Sequence, residues 1–525
     1  MSEYQATCRP LSLSKNYLLF SIIFLICFCN TSASELPKHF VTDFGAVADG
    51  KTLNTEAIQN AIDAAHKLKG GIVVFTEGKF LSGSLVLKSD VRLLFEKGSV
   101  LLGSTHPGHY RRLEIKNALT SPKTDDNSKL ALLVAYNANN ISITGKGTID
   151  GQGRQLALNI DSLHHTGIVI DPNYGTRPSE LMRPKIINFW ECKNVIVSGI
   201  TIKNSSNWVQ TYELCENVTV KNIVVKSRAY WNNDGLNITD SKHVKISNCD
   251  INSADDGITL KSYYPGRFND DVRISNCTIR SSASAVKFGT ASVGGFKDIV
   301  IDSISVFDTF RSAIAIETVD GGFIENVAVS NIYAENTGNA IFVRLGHRSG
   351  DTPGTIKGLS FKNIKAQIPF GRPDIDYDLR GPEVCYFHNQ FPASIAGIPG
   401  SDVKGISLEN IEITYPGRAS KGMAYIPLWR LDDVPEKIES YPEYTMFGEL
   451  PSWGFFIRHV KGISLKNVKL NLQDTDFRPA FVFDDVKDLT IEQLSLPDNV
   501  IHPVILKEIK NARIDNEARK YVKEL

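Results

Sequence analysis

Asn194-Val-Ile-Val-Ser-Gly-Ile200, Asn217-Val-Thr-Val-Lys-Asn-Ile223, His243-Val-Lys-Ile-Ser-Asn-Cys249 and Asp271-Val-Arg-Ile-Ser-Asn-Cys277 are variants of one phrase. Further copies begin at Asp298, Asn326, Gly358, Gly405, Gly462 and Asp488. Within each copy apolar and polar residues alternate, the period of a short strand with one face buried. From Asn194 to Asn326 the copies start 23, 26, 28, 27 and 28 residues apart. That spacing is too short for a helical crossover at every step and suits a coil of three short strands. The fold expected is all-β, a right-handed parallel β-helix.

The sixth position of the phrase returns as Asn222, Asn248, Asn276, Asn331, Asn363, Asn410 and Asn467. Stacked coils would set these amides above one another in a hydrogen-bonded ladder, a structural role. Cys249 and Cys277 stand at the next position, where other copies carry Ile, and are read as core. One amphipathic helix fits residues 55–68, with Ala57, Ile58, Ala61, Ile62 and Ala65 on one face and Asn54 or Thr55 as N-cap. It is expected to cap the open end of the solenoid. Two stretches, near 367–400 and 415–453, exceed what a coil needs and are expected to wall a binding face.

Lys+Arg and Asp+Glu number 58 each, so there is no overall basic field and no nucleic-acid partner is implied. Residues 1–34 read as a signal peptide: Arg9 and Lys15, an apolar run from Tyr17 to Cys29, then Thr31-Ser32-Ala33. The run is short for a membrane span, and Cys27 and Cys29 lack the preceding small residue of a lipoprotein site. The expectation is one catalytic domain over 35–525, monomeric, secreted or periplasmic. Cys8, Cys27 and Cys29 would leave with the signal; Cys192, Cys215, Cys249, Cys277 and Cys385 remain. An odd, sparse set is no disulfide framework, and without zinc spacing no metal or other cofactor is implied.

A second alignment carries the chemistry. Asp234-Gly-Leu-Asn-Ile, Asp256-Gly-Ile-Thr-Leu, Ser284-Ala-Val-Lys-Phe, Ser312-Ala-Ile-Ala-Ile and Asn339-Ala-Ile-Phe-Val share one phase. Stacked as a sheet, they would turn Asn237, Thr239, Thr259, Lys261, Lys287, Glu317, Phe342 and Arg344 outward to solvent. Asp234 and Asp256 would be neighbours roughly 4.8 Å apart along the stack, with Asp255 beside them. Asp-Gly pairs commonly just make turns. Two in register with a third carboxylate do more, because three ionised carboxylates repel and one should keep a proton near neutral pH. Inverting glycoside hydrolysis needs such a set. Lys261, Lys287 and Arg344 would favour an acidic sugar, and Trp208, Tyr230 and Trp231 could stack on pyranose rings. Glu317 beside Lys287 also reads as a plain salt bridge.

At these residues the chain resembles glycoside hydrolase family 28, the polygalacturonase family, over nearly the whole mature length. The opening Asp43-Phe-Gly-Ala-Val-Ala-Asp-Gly, Arg183-Pro184, Cys192-Lys-Asn-Val and Asn204-Ser-Ser-Asn-Trp208 are similar to family landmarks. The family's Asn-Thr-Asp-Gly motif corresponds to Asn232-Asn-Asp-Gly235, and its paired aspartates to Asp255-Asp256. The resemblance implies Asp255 as general acid, with Asp234 and Asp256 holding and activating the water, and Asn232 at the substrate. It departs at Ala283-Ser284-Ala285, where the family has Gly-His-Gly, and at Ala315-Ile316-Glu317, where it has Arg-Ile-Lys. The missing cations are the family's grip on galacturonate. The phrases at Tyr441-Pro-Glu443, Trp453-Gly-Phe-Phe-Ile-Arg-His459 and Arg478-Pro-Ala480 resemble those of bacterial, Bacteroidetes-type members.

The expected substrate is a pectin-type acidic polysaccharide or its oligosaccharides. Two rival readings stay open: a polysaccharide lyase on the same fold, with Lys261 or Lys287 as base, and a non-catalytic glycan-binding β-helix. Walls at one end of the groove would favour attack from a chain end.

Overall fold

The computed structural model describes residues 36–112, 115, 119–122, 128–374, 391–420, 426–498 and 503–525. The expected signal peptide, Cys8, Cys27, Cys29, Cys385 and much of the 367–400 stretch lie outside these residues. From Pro37 to Leu525 the chain is one compact unit, a right-handed parallel β-helix. Among the described residues no helix is long and apolar enough to cross a membrane.

Each coil contributes three short strands. Lys185–Trp190, Lys193–Ser198 and Thr201–Lys203 form one; Gln210–Glu213, Glu216–Lys221 and Val224–Ser227 form the next. Every strand pairs in parallel with its counterpart one coil away, and Val195, Val218, Val244, Val272 and Ile299 align without slippage. Alternation then sends one apolar column inward at each face. Burying an Ile, Leu or Val is worth about 1.5–3 kcal/mol, repeated coil after coil. Toward the C-terminus Phe455, Phe481 and Phe483 extend the core as stacked rings, with centroids 5.3 and 5.8 Å apart.

The bends follow from the residues that begin and end the phrase. Asn194, Asn217, Asn222, Asn248, Asn331, Asn363, Asn410 and Asn467 all have φ between 53° and 58°, a left-handed conformation that Asn tolerates better than β-branched residues. The amide ladder forms there: Asn363 donates to Asn331 at 2.9 Å, Asn410 to Asn363 at 2.9 Å and Asn467 to Asn410 at 2.8 Å. A second, unforeseen ladder occupies the first position, where Asn217 donates to Asn194 and Asn194 to Asn140. Cys192, Cys215, Cys249 and Cys277 are buried free thiols, as core positions require.

The capping helix runs from Thr55 to Lys67 and buries Ile58, Ala61, Ile62 and Ala65. Asn54 precedes it, but its side chain reaches back to both backbone groups of Val47 instead of capping the helix. A second helix, Gly153–His165, was not foreseen. Only Leu156, Ala157 and Ile160 of its apolar residues are buried while Leu158 is exposed, too narrow a stripe to read from sequence. Gly153 opens it because any Cβ there would lie 2.1 Å from the Ser205 backbone.

The 415–453 insertion folds back over the outward side of the sheet. Its Leu431, Val434, Tyr444, Phe447 and Leu450 form an apolar cluster with Ala315, Phe342, Ala396, Phe456, Val482 and Ile505. At the bend the coils are joined instead by the amide ladder. Asn410→Ala, which removes two amide contacts at a left-handed position, should cost about 1–2 kcal/mol. The check is thermal and denaturant unfolding; a variant as stable as the parent would assign the ladder no energetic role.

Candidate active site

The second alignment holds residue for residue: Leu236 pairs with Ile258, Ile258 with Val286, Val286 with Ile314 and Ile314 with Ile341. The outward row therefore runs Thr211, Asn237, Thr259, Lys287, Ala315, Phe342, Ser394, Phe456. The expectation that the outward residues meet solvent is corrected. Asn237, Thr239, Thr259, Lys261, Lys287, Glu317, Phe342 and Arg344 are all buried. At one end the aromatic rings of Trp208, Tyr263 and Tyr264 pack together with Ala291, with the Lys261 ammonium 4.6 Å from the Trp208 ring. At the other the insertion covers them.

Between these covers a cleft of about 280 Å³ remains, lined by Glu180, Trp208, Asn232, Asp234, Asp255, Asp256, Lys261, Thr290, Arg348 and Tyr441. The three aspartates are brought together, as expected. Backbone bonds position them: Val209 N–H donates to the Asp234 carbonyl at 2.8 Å and Gly235 N–H to the Asp256 carbonyl at 2.9 Å. Gly235 permits this approach, since a Cβ would lie 2.6 Å from the Gly257 oxygen. The Asp255 carbonyl accepts from Ser253 and Ser281, and its carboxylate accepts the Asp256 N–H at 2.9 Å.

The two buried carboxyls are driven apart. Burial pushes Asp234 well above the ordinary carboxylate range; Lys261, 3.7 Å away, opposes this, while Asp255 and Asp256 add to it. Burial acts the same way on Asp256, but Lys287 at 3.6 Å, Lys261, Arg311 and the Ser284 N–H outweigh it and hold Asp256 below its ordinary value. Within one cleft the two carboxyls are thus shifted in opposite directions, Asp234 toward its protonated form and Asp256 toward its ionised form. Among the described residues no group of three or more His, Cys, Asp or Glu is arranged to hold a metal ion.

The other expected binding residues divide. Asn232, Lys261 and Trp208 line the cleft; Asn232 is held by Arg183, whose Nη2 donates to its Oδ1 at 2.8 Å. Trp231 and Tyr230 are not in the lining: the Arg177 guanidinium lies 4.2 Å over Trp231 and that of Arg183 5.3 Å over Tyr230. Lys287 is enclosed, donating to the Tyr441 hydroxyl at 3.1 Å beside Asp256. Glu317 feels the Lys287 charge, but Lys287's ion pair is with Asp256. Arg344 does not line the cleft: it is fully buried and donates to the carbonyls of Gly397, Glu436 and Lys437, fastening the insertion. Glu180, Thr290, Arg348 and Tyr441 were missed. Tyr441 carried a signal, standing in a phrase that resembles family members, whereas Arg348 follows its strand by a loop whose path the alternation does not specify.

Glu317 offers a test of the buried charge balance. Burial raises its carboxyl from 4.5 to about 8 against the pull of Lys287. It is protonated when folded at neutral pH and ionised when unfolded, so the stability it allows is lost as pH rises from its unfolded value through its folded one. Glu317→Gln should therefore gain melting temperature relative to wild type between about pH 5 and about pH 8. A difference that stays flat across that window would place the proton elsewhere.

Comparison with known proteins agrees with this geometry. The family model for glycosyl hydrolases family 28 matches residues 93–370, and a model described as rhamnogalacturonase A/epimerase, pectate lyase-like, matches 40–103. A probable polygalacturonase of Vitis vinifera is 26% identical over 269 residues, 50% of each chain. An exo-poly-alpha-D-galacturonosidase of Dickeya chrysanthemi is 26% identical over 264 residues, 44% of this chain and 43% of that one. The chain thus spans about half the length of these curated relatives. The crystal structure of a hyperthermoactive exopolygalacturonase from Thermotoga maritima superposes with a TM-score of 0.55 at 23% identity, covering 73% of this chain and 88% of that one, a likeness of fold. With the match spanning residues 93–370 of 525 and the paired aspartates gathered in one cleft, the chain belongs to glycosyl hydrolases family 28.

Proposed function

We propose that this chain is an exported glycoside hydrolase that cleaves glycosidic bonds of a pectin-type acidic polysaccharide, or its oligosaccharides, by inversion. The observation that carries the reading is the gathering of Asp234, Asp255 and Asp256 in one cleft, with Lys261 3.7 Å from Asp234 and Lys287 3.6 Å from Asp256. Asp255, the least buried of the three, gives a proton to the leaving glycosidic oxygen. Asp256, kept anionic by Lys287, takes a proton from the attacking water, and Asp234 holds that water in place. The half-exposed Tyr441 offers a ring to the sugar. The protein acts as a monomer, and the balanced charge of 58 cationic against 58 anionic residues gives no reason to expect a nucleic-acid partner.

The reading extends to the direction of attack. Beyond Lys287 the outward row becomes Ala315, Phe342, Ser394 and Phe456 beneath the insertion. A covered, largely apolar row cannot carry further sugars, which supports attack from a chain end.

Wild type and Asp255→Asn should be compared on polygalacturonate, rhamnogalacturonan and their oligosaccharides, following reducing ends and ultraviolet absorbance together. The expected outcome is short products from the start, reducing ends without absorbance, and a rate lower by about 10²–10⁴-fold in the variant. Absorbance from an unsaturated product would replace hydrolysis with elimination. Undiminished turnover by Asp255→Asn would remove it from the acid role.

A further inference from the structure

The departures at Ala315 and Glu317 leave open what meets an acidic sugar in this cleft, and the structure closes off most candidates. Ala315 lies under the insertion's apolar cluster. Arg344 is committed to three backbone carbonyls. Lys287 is enclosed by Asp256 and Tyr441. Lys261 lines the cleft but lies against Asp234 and Trp208. The other cation in the lining is Arg348, which none of the sequence patterns marks and which differs from Lys261 in being set by a two-point contact.

Arg348 is held as a recognition group would be. Its Nε and Nη2 donate to the two oxygens of Asp320 at 3.0 and 2.8 Å, a two-point contact that fixes the plane of the guanidinium. Asp320 is itself buried and fixed, accepting the Ser292 N–H at 3.2 Å and the Ser349 hydroxyl at 2.8 Å. The loop is pinned from both sides: Arg348 N–H donates to the Val319 carbonyl, and His347 N–H to the Ile438 carbonyl of the insertion. Tyr441, which shares the lining, is set by its own turn, where Glu443 pairs with Arg311 at 2.6 Å and Tyr444 is buried against Phe391.

We propose that Arg348, oriented by Asp320 and sharing the lining with Tyr441, is the group that recognises the carboxylate of a uronic-acid residue bound in this cleft. It stands in the loop after the strand Phe323–Leu345, one coil on from Ala315 and Glu317, where the family resemblance would place cations. Asp320 is a positioning residue: it does not line the cleft and acts through the guanidinium. The proposal rests on the cleft being the glycoside-binding site described above.

The test is equilibrium binding of trigalacturonate and of its carboxyl-reduced, neutral counterpart to the full chain carrying Asp255→Asn, which prevents turnover. Adding Arg348→Gln should weaken trigalacturonate binding by about tenfold or more and the neutral ligand by less than about twofold. Arg348→Lys, which keeps the charge but not the planar contact, should fall between and covers the case in which the glutamine variant does not fold. Asp320→Asn should weaken the acidic ligand selectively while leaving the neutral one in place. Equal losses for both ligands, or none for either, would overturn the assignment. So would a parent that binds neither; hydrolysis of another glycan by wild type would then show that the uronate clamp had failed and the hydrolase reading had not.

Discussion

Parallel pairing of each strand with its counterpart one coil away is the constraint from which the rest of this molecule follows. It fixes the spacing of coils at roughly 4.8 Å and forbids a one-residue slip, which would turn every inward column outward. Val195, Val218, Val244, Val272 and Ile299 are in line because of it. So are Asp234 and Asp256, whose backbones are joined through Gly235. Register that serves the core thereby delivers carboxylates from successive coils to one place.

That delivery creates an electrostatic problem that neighbouring side chains resolve unequally. Both carboxyls are buried, and burial disfavours charge at each. Asp256 receives Lys287 and a backbone N–H, whereas Asp234 has Lys261 at 3.7 Å and two acidic neighbours. Lys287 in turn keeps its proton, against burial, because the Asp256 carboxylate lies 3.6 Å away. The cluster is thus a compensated set: removing one cation would move the carboxyls it faces upward together.

The insertion determines how much of the sheet's outward face can be used. Its attachment is polar at the edges and apolar in the middle. Arg344 and Arg458 donate to its carbonyls, and His459 bridges its Glu436 to Asp485 of the next coil. Leu431, Val434 and Phe447 fill the space between. The same cover that buries Phe342 and Phe456 carries Tyr441 to the edge of the cleft.

By itself the sequence determined what repeats. Strand phase, coil length, the asparagine ladder, the buried cysteines and the gathering of three aspartates are periodic or local, and alternation at fixed register converts them directly into geometry. What the tertiary structure alone decided is what lies over the sheet. Outward residues expected in water are buried, Arg344 became a fastener of the insertion, Trp231 was turned under Arg177, and Arg348 and Tyr441 came to the cleft from segments far apart in the chain. Alternation says which way a side chain leaves its strand; it carries no information about which loop will later fold across it, because that depends on contacts between segments that share no period.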